Sequence, residues 1–105
     1  MPLTFLVPGA PTATVTATIG GEIDLATVPE LRGHVDEVLA ETAVTGIVLD
    51  LSEVTFLDST GIGALINCRS RAHQAGKTLR VANPRGLVRE VLTLTNVLPM
   101  LTTEA

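Results

Sequence analysis

Aromatic side chains are nearly missing from this chain: its 105 residues include two phenylalanines and no tyrosine or tryptophan. The interior must therefore be aliphatic, drawn from the Val, Leu, Ile and Ala that dominate a 46% hydrophobic composition. A ring platform for stacking nucleic-acid bases has nothing to be built from. Cysteine is scarcer still. Cys68 stands alone, which excludes a disulfide framework and a cysteine metal cluster. Positive charge is thin as well: seven Lys and Arg against eleven Asp and Glu give a net charge of −4. Arg69, Arg71, Arg85 and Arg89 are scattered rather than massed, which argues against a binder of phosphate backbones. No apolar run reaches the length of a membrane span, and the N-terminus lacks the basic segment and cleavage site of a secretory leader. These absences predict one cytoplasmic domain over residues 1–105, with no cofactor and no contact with nucleic acid or membrane.

What is present alternates between two periods. Leu3 to Val7 reads as a short strand closed by the turn Pro8-Gly9-Ala10-Pro11. From Ala13 to Ile19, Val15, Ala17 and Ile19 alternate with Thr14, Thr16 and Thr18, the pattern of a half-buried strand. Gly20 to Ala26 reads as a loop, after which Thr27 opens a helix with Pro29 in its first turn and Glu30 completing a capping box. Leu31, Val35, Val38 and Leu39 form the apolar stripe of that helix, which Gly46 is expected to break. Ile47 to Leu51 is a central strand, Ser52 to Leu57 a loop, and about Ser59 to Ala75 a second helix ended by Gly76. Thr78 to Ala82 is a further strand. Asn83-Pro84 caps a third helix reaching about Asn96, and Val97 to Thr102 supplies a last short strand interrupted by Pro99.

This order predicts an α/β protein with a mixed sheet: an antiparallel N-terminal pair, then parallel strands joined by crossover helices. Loops leaving the carboxyl ends of parallel strands gather on one edge. If the second and third strands are neighbours, Asp24 and Ser59 share that rim.

The run Phe56-Leu57-Asp58-Ser59-Thr60-Gly61-Ile62-Gly63 is the most informative stretch. It sets a hydroxyl where a strand-like segment yields to a helix, beside unpaired N–H donors and the positive end of the helix dipole. A phosphate on Ser59 is tolerated there without melting the helix, and its charge beside Asp58 repels a docked partner. The bland reading makes Asp58 or Ser59 a helix cap and nothing more. On the helix, Gly61, Ala64, Leu65, Cys68, Ala72 and Ala75 form a small apolar stripe suited to the sheet. Ser59, Ile62, Gly63, Ile66, Ser70 and His73 form the other. Ile62 is equally fit to flank the core or to face a partner. No enzyme is indicated: a nucleophilic serine needs a base, and His34 and His73 both fall well inside or late in helices. Neither Gly20-Gly21 nor Gly61-x-Gly63 makes a nucleotide-binding fingerprint.

Asp58-Ser59-Thr60-Gly61-Ile62-Gly63, preceded by Val54-Thr55-Phe56-Leu57, resembles the phosphorylation motif of anti-sigma factor antagonists of the STAS domain family. Gly21-Glu22-Ile23-Asp24 resembles the same family's loop before the first helix, and the order of elements agrees to about residue 101. The resemblance implies a STAS-like fold and a partner-switching regulator in the stress response. Unphosphorylated, such a protein binds an anti-sigma factor with serine kinase activity and so releases a sigma factor. Phosphorylation of Ser59 ends the complex and a serine phosphatase restores it. It further implies that Asp24, Asp58, Thr60 and Ile62 lie at the partner contact, Ile62 as an anchor, with Thr60 one place past the acceptor serine. The last helix common in the family is expected to be missing or vestigial here. A STAS subunit of a larger assembly, a stress-signalling complex or an accessory protein of lipid transport, is the rival reading.

Overall fold

In the computed structural model, which describes residues 3–9 and 12–102, four strands form one sheet in the order β1-β2-β3-β4. They are β1 (Thr4–Leu6), β2 (Ala13–Ile23), β3 (Val44–Leu57) and β4 (Thr78–Ala82). β1 pairs antiparallel with β2, whereas β2 with β3 and β3 with β4 run parallel. This is the expected mixed sheet. The parallel connections carry α1 (Val28–Leu39) and α2 (Ser59–Gln74), and α3 (Gly86–Leu94) and α4 (Leu98–Thr102) follow β4. Ala10 and Pro11 of the expected first turn lie outside the described residues.

Alternation decides which face is covered. Val15, Ala17 and Ile19 of β2, Ile47, Leu49 and Leu51 of β3, and Leu79 and Val81 of β4 all point to the helices and are buried. They join Leu31 and Val35 of α1, Leu65, Cys68 and Ala72 of α2, Val88 and Leu92 of α3 and Leu101 of α4 in one aliphatic cluster. The opposite face presents Thr4, Leu6, Thr14, Thr16 and Thr78 to solvent, which is why β2 alternates threonine with apolar residues instead of being apolar throughout. Burial lifts the Cys68 thiol to a pKa of about 11. It is a small packing group, not a reactive thiolate.

Several boundaries differ from the sequence expectation, each for a local reason. Gly20 to Ile23, read as loop, continue β2. Gly20 is required because a Cβ there would meet Thr4 Oγ1 at 2.5 Å on the neighbouring strand, and Gly21, at φ +95°, takes up an irregularity in the pairing with β3. Ser52 to Leu57, also read as loop, are likewise strand: β3 shifts register between its pairings with Thr18 and Gly20 and then runs on beside β2. Asp50 stabilises that irregularity by accepting from the Ser52 N–H at 2.9 Å. That bond lowers the carboxyl below its ordinary pKa despite partial burial, with help from Ser52 and Asn83 side chains and the Arg85 charge. Gly46 does not break α1, which ends at Leu39; it lies within β3, where Thr78 Oγ1 occupies the space a Cβ would need.

Asn83 is not the cap of α3. It sits in the left-handed region at φ +56°, and the extended Arg85 occupies the N-cap instead. The expected final strand is α4, a short helix that accepts Pro99 in its first turn, where no N–H is needed. Lys77, the chain's only lysine, donates from Nζ to the carbonyls of Leu39 at 2.5 Å and Glu41 at 2.9 Å. A cation thus sits on the carbonyl end of α1, where the dipole favours it. We expect Lys77→Met to lower stability by about 1–2 kcal/mol in urea unfolding, because two charge-assisted bonds are lost.

Candidate functional site

The site is built where β2 and β3 end level. Their last pairs are Glu22 with Phe56 and Ile23 with Leu57, so Asp24 and Asp58 are the first residues beyond the ladder on the same rim. The juxtaposition expected of Asp24 and Ser59 is met.

Each aspartate organises the turn that follows it. Asp24 Oδ1 accepts from the N–H of Ala26 at 3.0 Å and of Thr27 at 3.1 Å, a side-chain turn of the kind aspartate favours. The Thr27 hydroxyl donates to the Glu22 carbonyl at 2.7 Å and accepts from the Asp24 N–H at 3.0 Å. Thr27 is thereby only 5% exposed. This corrects the expected capping box: Thr27 holds the N-cap position of α1 without a side-chain bond into the helix, because its hydroxyl is engaged backwards by the loop. Asp58 does cap α2. It is extended, at φ −108° and ψ −174°, and its Oδ1 accepts from Gly61 N at 2.9 Å.

Ser59 and Thr60 open α2 and are both exposed. Gly61 is pressed against the neighbouring strand end: a Cβ there would lie 2.5 Å from the Ile23 carbonyl oxygen and 2.6 Å from Leu57 Cδ1. Any larger residue must push the start of α2 off the end of β2. Ile62 follows a different course from its expected role as interface anchor. It is 8% exposed and belongs to the aliphatic cluster, because its place on the helix turns it toward the sheet. Ala75, placed by its spacing on the packed stripe, is exposed just past the helix end. Sequence reasoning also passed over Leu25, which is 75% exposed in the loop after β2. The signal was there, a large apolar residue inside a segment read as a loop, between Asp24 and Ala26. Phe56, 38% exposed, sits across from Glu22 on the open face of the sheet.

Neither histidine is placed to serve Ser59 as a base. His73 lies fourteen residues further along α2, about 21 Å at 1.5 Å per residue. His34 stacks on Phe5 with ring centroids 4.9 Å apart. No group of three or more His, Cys, Asp or Glu that could hold a metal ion occurs among the described residues. The rim thus presents the exposed hydroxyls of Ser59 and Thr60 beside the carboxylates of Asp24 and Asp58.

Comparisons with known proteins agree with this geometry. The STAS domain family matches residues 7–105. The anti-sigma F factor antagonist of Lysinibacillus sphaericus is 29% identical over 87 residues, 82% of this chain and 74% of that protein. The anti-sigma-F factor antagonist RsfB of Mycobacterium tuberculosis is 42% identical over 60 residues, 57% of this chain but 48% of its own length. The chain thus spans from about half to three quarters of these relatives. Among solved structures, the anti-sigma factor antagonist SpoIIAA in its unphosphorylated form superposes with a TM-score of 0.76 at 24% identity, covering 97% of this chain and 88% of that one. SpoIIAA of Bacillus is also known in a phosphorylated form, with a TM-score of 0.68 at 22% identity, covering 97% of this chain and 91% of that one. At these identities SpoIIAA speaks for the fold.

The two findings on Gly61 and Ile62 predict their variants. Gly61→Ala should destabilise by more than about 2 kcal/mol through overpacking, and Ile62→Ala by about 2–4 kcal/mol through a cavity. Chemical denaturation of both purified variants checks this.

Proposed function

The chain belongs to the STAS domain family, and on that premise we propose that it is an anti-sigma factor antagonist switched by phosphorylation of Ser59. In the unphosphorylated state the rim carrying Asp24, Asp58, Ser59 and Thr60 docks on an anti-sigma factor that is also a serine kinase. That docking frees a sigma factor. The kinase transfers the γ-phosphoryl group of ATP to Ser59 Oγ, the hydroxyl proton passing to a base on the kinase, and the complex ends. A serine phosphatase hydrolyses the ester and resets the cycle in the cytoplasm.

The observation that carries this reading is an exposed serine at the first position of a helix whose N-cap bond is already supplied by the preceding residue. Because Asp58 does the capping, Ser59 is free of that structural duty. The relatives' names supply the class of partner. The existence of SpoIIAA in both phosphorylation states supports a switch on this fold.

Physical chemistry favours a switch at the surface over one through folding. A phosphate near a helix N-terminus is stabilised by roughly 0.3–1 kcal/mol. The added charge of about −1.5 to −2 lies beside Asp58 on a rim already carrying Asp24. A partner adapted to the neutral hydroxyl must then desolvate a dianion. The cost falls on the complex and not on the fold.

Incubating the protein with the serine-kinase anti-sigma factor of the same genome, ATP and Mg²⁺ should give one phosphate, located on Ser59 by mass spectrometry. Absence of phosphate, or its appearance elsewhere, refutes the switch. Ser59→Ala should keep binding in the presence of ATP, while Ser59→Glu should weaken it on the order of tenfold or more, about 1.4 kcal/mol, with both variants folded.

A further inference from the structure

The motif contains two glycines, and the fold needs only one of them. Gly61 is fixed by the Ile23 carbonyl. Gly63 is not: a Cβ added there meets nothing within 4 Å, and its backbone is ordinary right-handed helix. A glycine inside a helix is a poorer helix former than alanine. The internal packing of this chain gives no return for that loss, so its benefit has to lie outside.

The neighbours of Gly63 follow from the bonds between α1 and α2. Arg32 Nη2 donates to Asn67 Oδ1 at 3.0 Å, and Arg71 Nη2 meets Asp36 Oδ2 at 2.6 Å. Each step of four residues on one helix matches four on the other, so the helices run parallel in matched turns. One turn earlier, Gly63 stands abreast of Val28, where Leu25 and Ala26 lead into α1. Ser59 lies one turn before Gly63 on the same face of α2. The same register sets Leu25, 75% exposed, about level with Thr60, so the surface without a side chain at Gly63 begins about one helical turn past both Leu25 and Ser59. Asp24, Asp58 and Glu22 make this edge acidic.

Resting on the switch reading above, we infer that Gly63 and Leu25 form the docking surface for the anti-sigma factor, Gly63 by permitting close approach and Leu25 by filling an apolar socket. The charge of the edge defines the facing surface: an apolar recess bordered by Lys or Arg. Leu25, not the buried Ile62, is the anchor. The site also explains why a phosphate on Ser59 is effective. It would stand one helical turn from the point of closest approach, where no room is left for it.

The test measures binding of the unmodified chain to the same kinase anti-sigma factor by calorimetry without ATP, alongside melting temperature. Gly63→Ala should melt roughly 2–6 °C higher yet bind about tenfold or more weakly. Leu25→Ala should bind about tenfold or more weakly with an unchanged melting temperature. Gly33→Ala, at another helical glycine whose Cβ meets nothing, should gain stability without losing affinity. Wild-type affinity in both Gly63→Ala and Leu25→Ala overturns this inference and leaves the switch intact. Equal loss in Gly33→Ala also overturns it, since the effect is then not local. If Leu25→Ala alters only self-association in analytical ultracentrifugation, the patch joins copies of this chain and the inference falls. Failure of the wild-type chain to bind at all overturns the switch reading itself.

Discussion

The closeness of α2 to the end of β2 governs everything on the functional edge. Gly61 has no Cβ because the Ile23 carbonyl oxygen already occupies that space. The same contact ties together two segments more than thirty residues apart. Parallel pairing of Ile23 with Leu57 brings both strand ends level, and the missing side chain lets the helix start directly on top of them. Thr27 and Asp58 then close the two turns with their own hydrogen bonds. The rim is held in place by its own bonds, which would lower the entropic cost of the proposed docking.

Rigidity of this kind also determines what a modification can do. A flexible acceptor loop would respond to phosphate by reordering. Ser59, the acceptor proposed above, stands on a capped helix whose buried side, through Leu65, Cys68 and Ala72, is packed into the aliphatic cluster. Such a helix has little freedom to respond, and a phosphate placed on Ser59 would find favourable donors where it already is. On the proposed reading, the signal would be a change in surface charge and bulk. The two glycines divide the work: one lets the rim assemble, the other leaves the surface low.

Much of this was legible in the sequence. Alternating threonines marked β2, the small-residue stripe marked the packed side of α2, and Gly76 marked its end at φ +73°. The spacing of the two motifs was enough to place Asp24 near Ser59 once neighbouring strands were assumed. What failed was the reading of glycine and of surface. Gly20, Gly21 and Gly46 were taken as breaks because glycine usually punctuates, yet each is inside a strand where another strand approaches or the pairing shifts. That requirement is long-range and leaves no local trace. Ile62 was ambiguous for the related reason that its helical angle lies between the two stripes, and only the sheet's position decides it. Asn83-Pro84 imitated a cap, but Asn83 has a left-handed backbone directly after the end of β4, two residues short of the actual N-cap.

The central claim is that a phosphate on Ser59 changes the rim and leaves the fold alone. Comparison of backbone amide NMR spectra of the unmodified and Ser59-phosphorylated chain tests it most directly. The account predicts shifts confined to residues 24–28 and 58–63, with the dispersion of the core amides and their exchange protection retained. Shifts spread through β4 and α3, or loss of protection across the sheet, would contradict it.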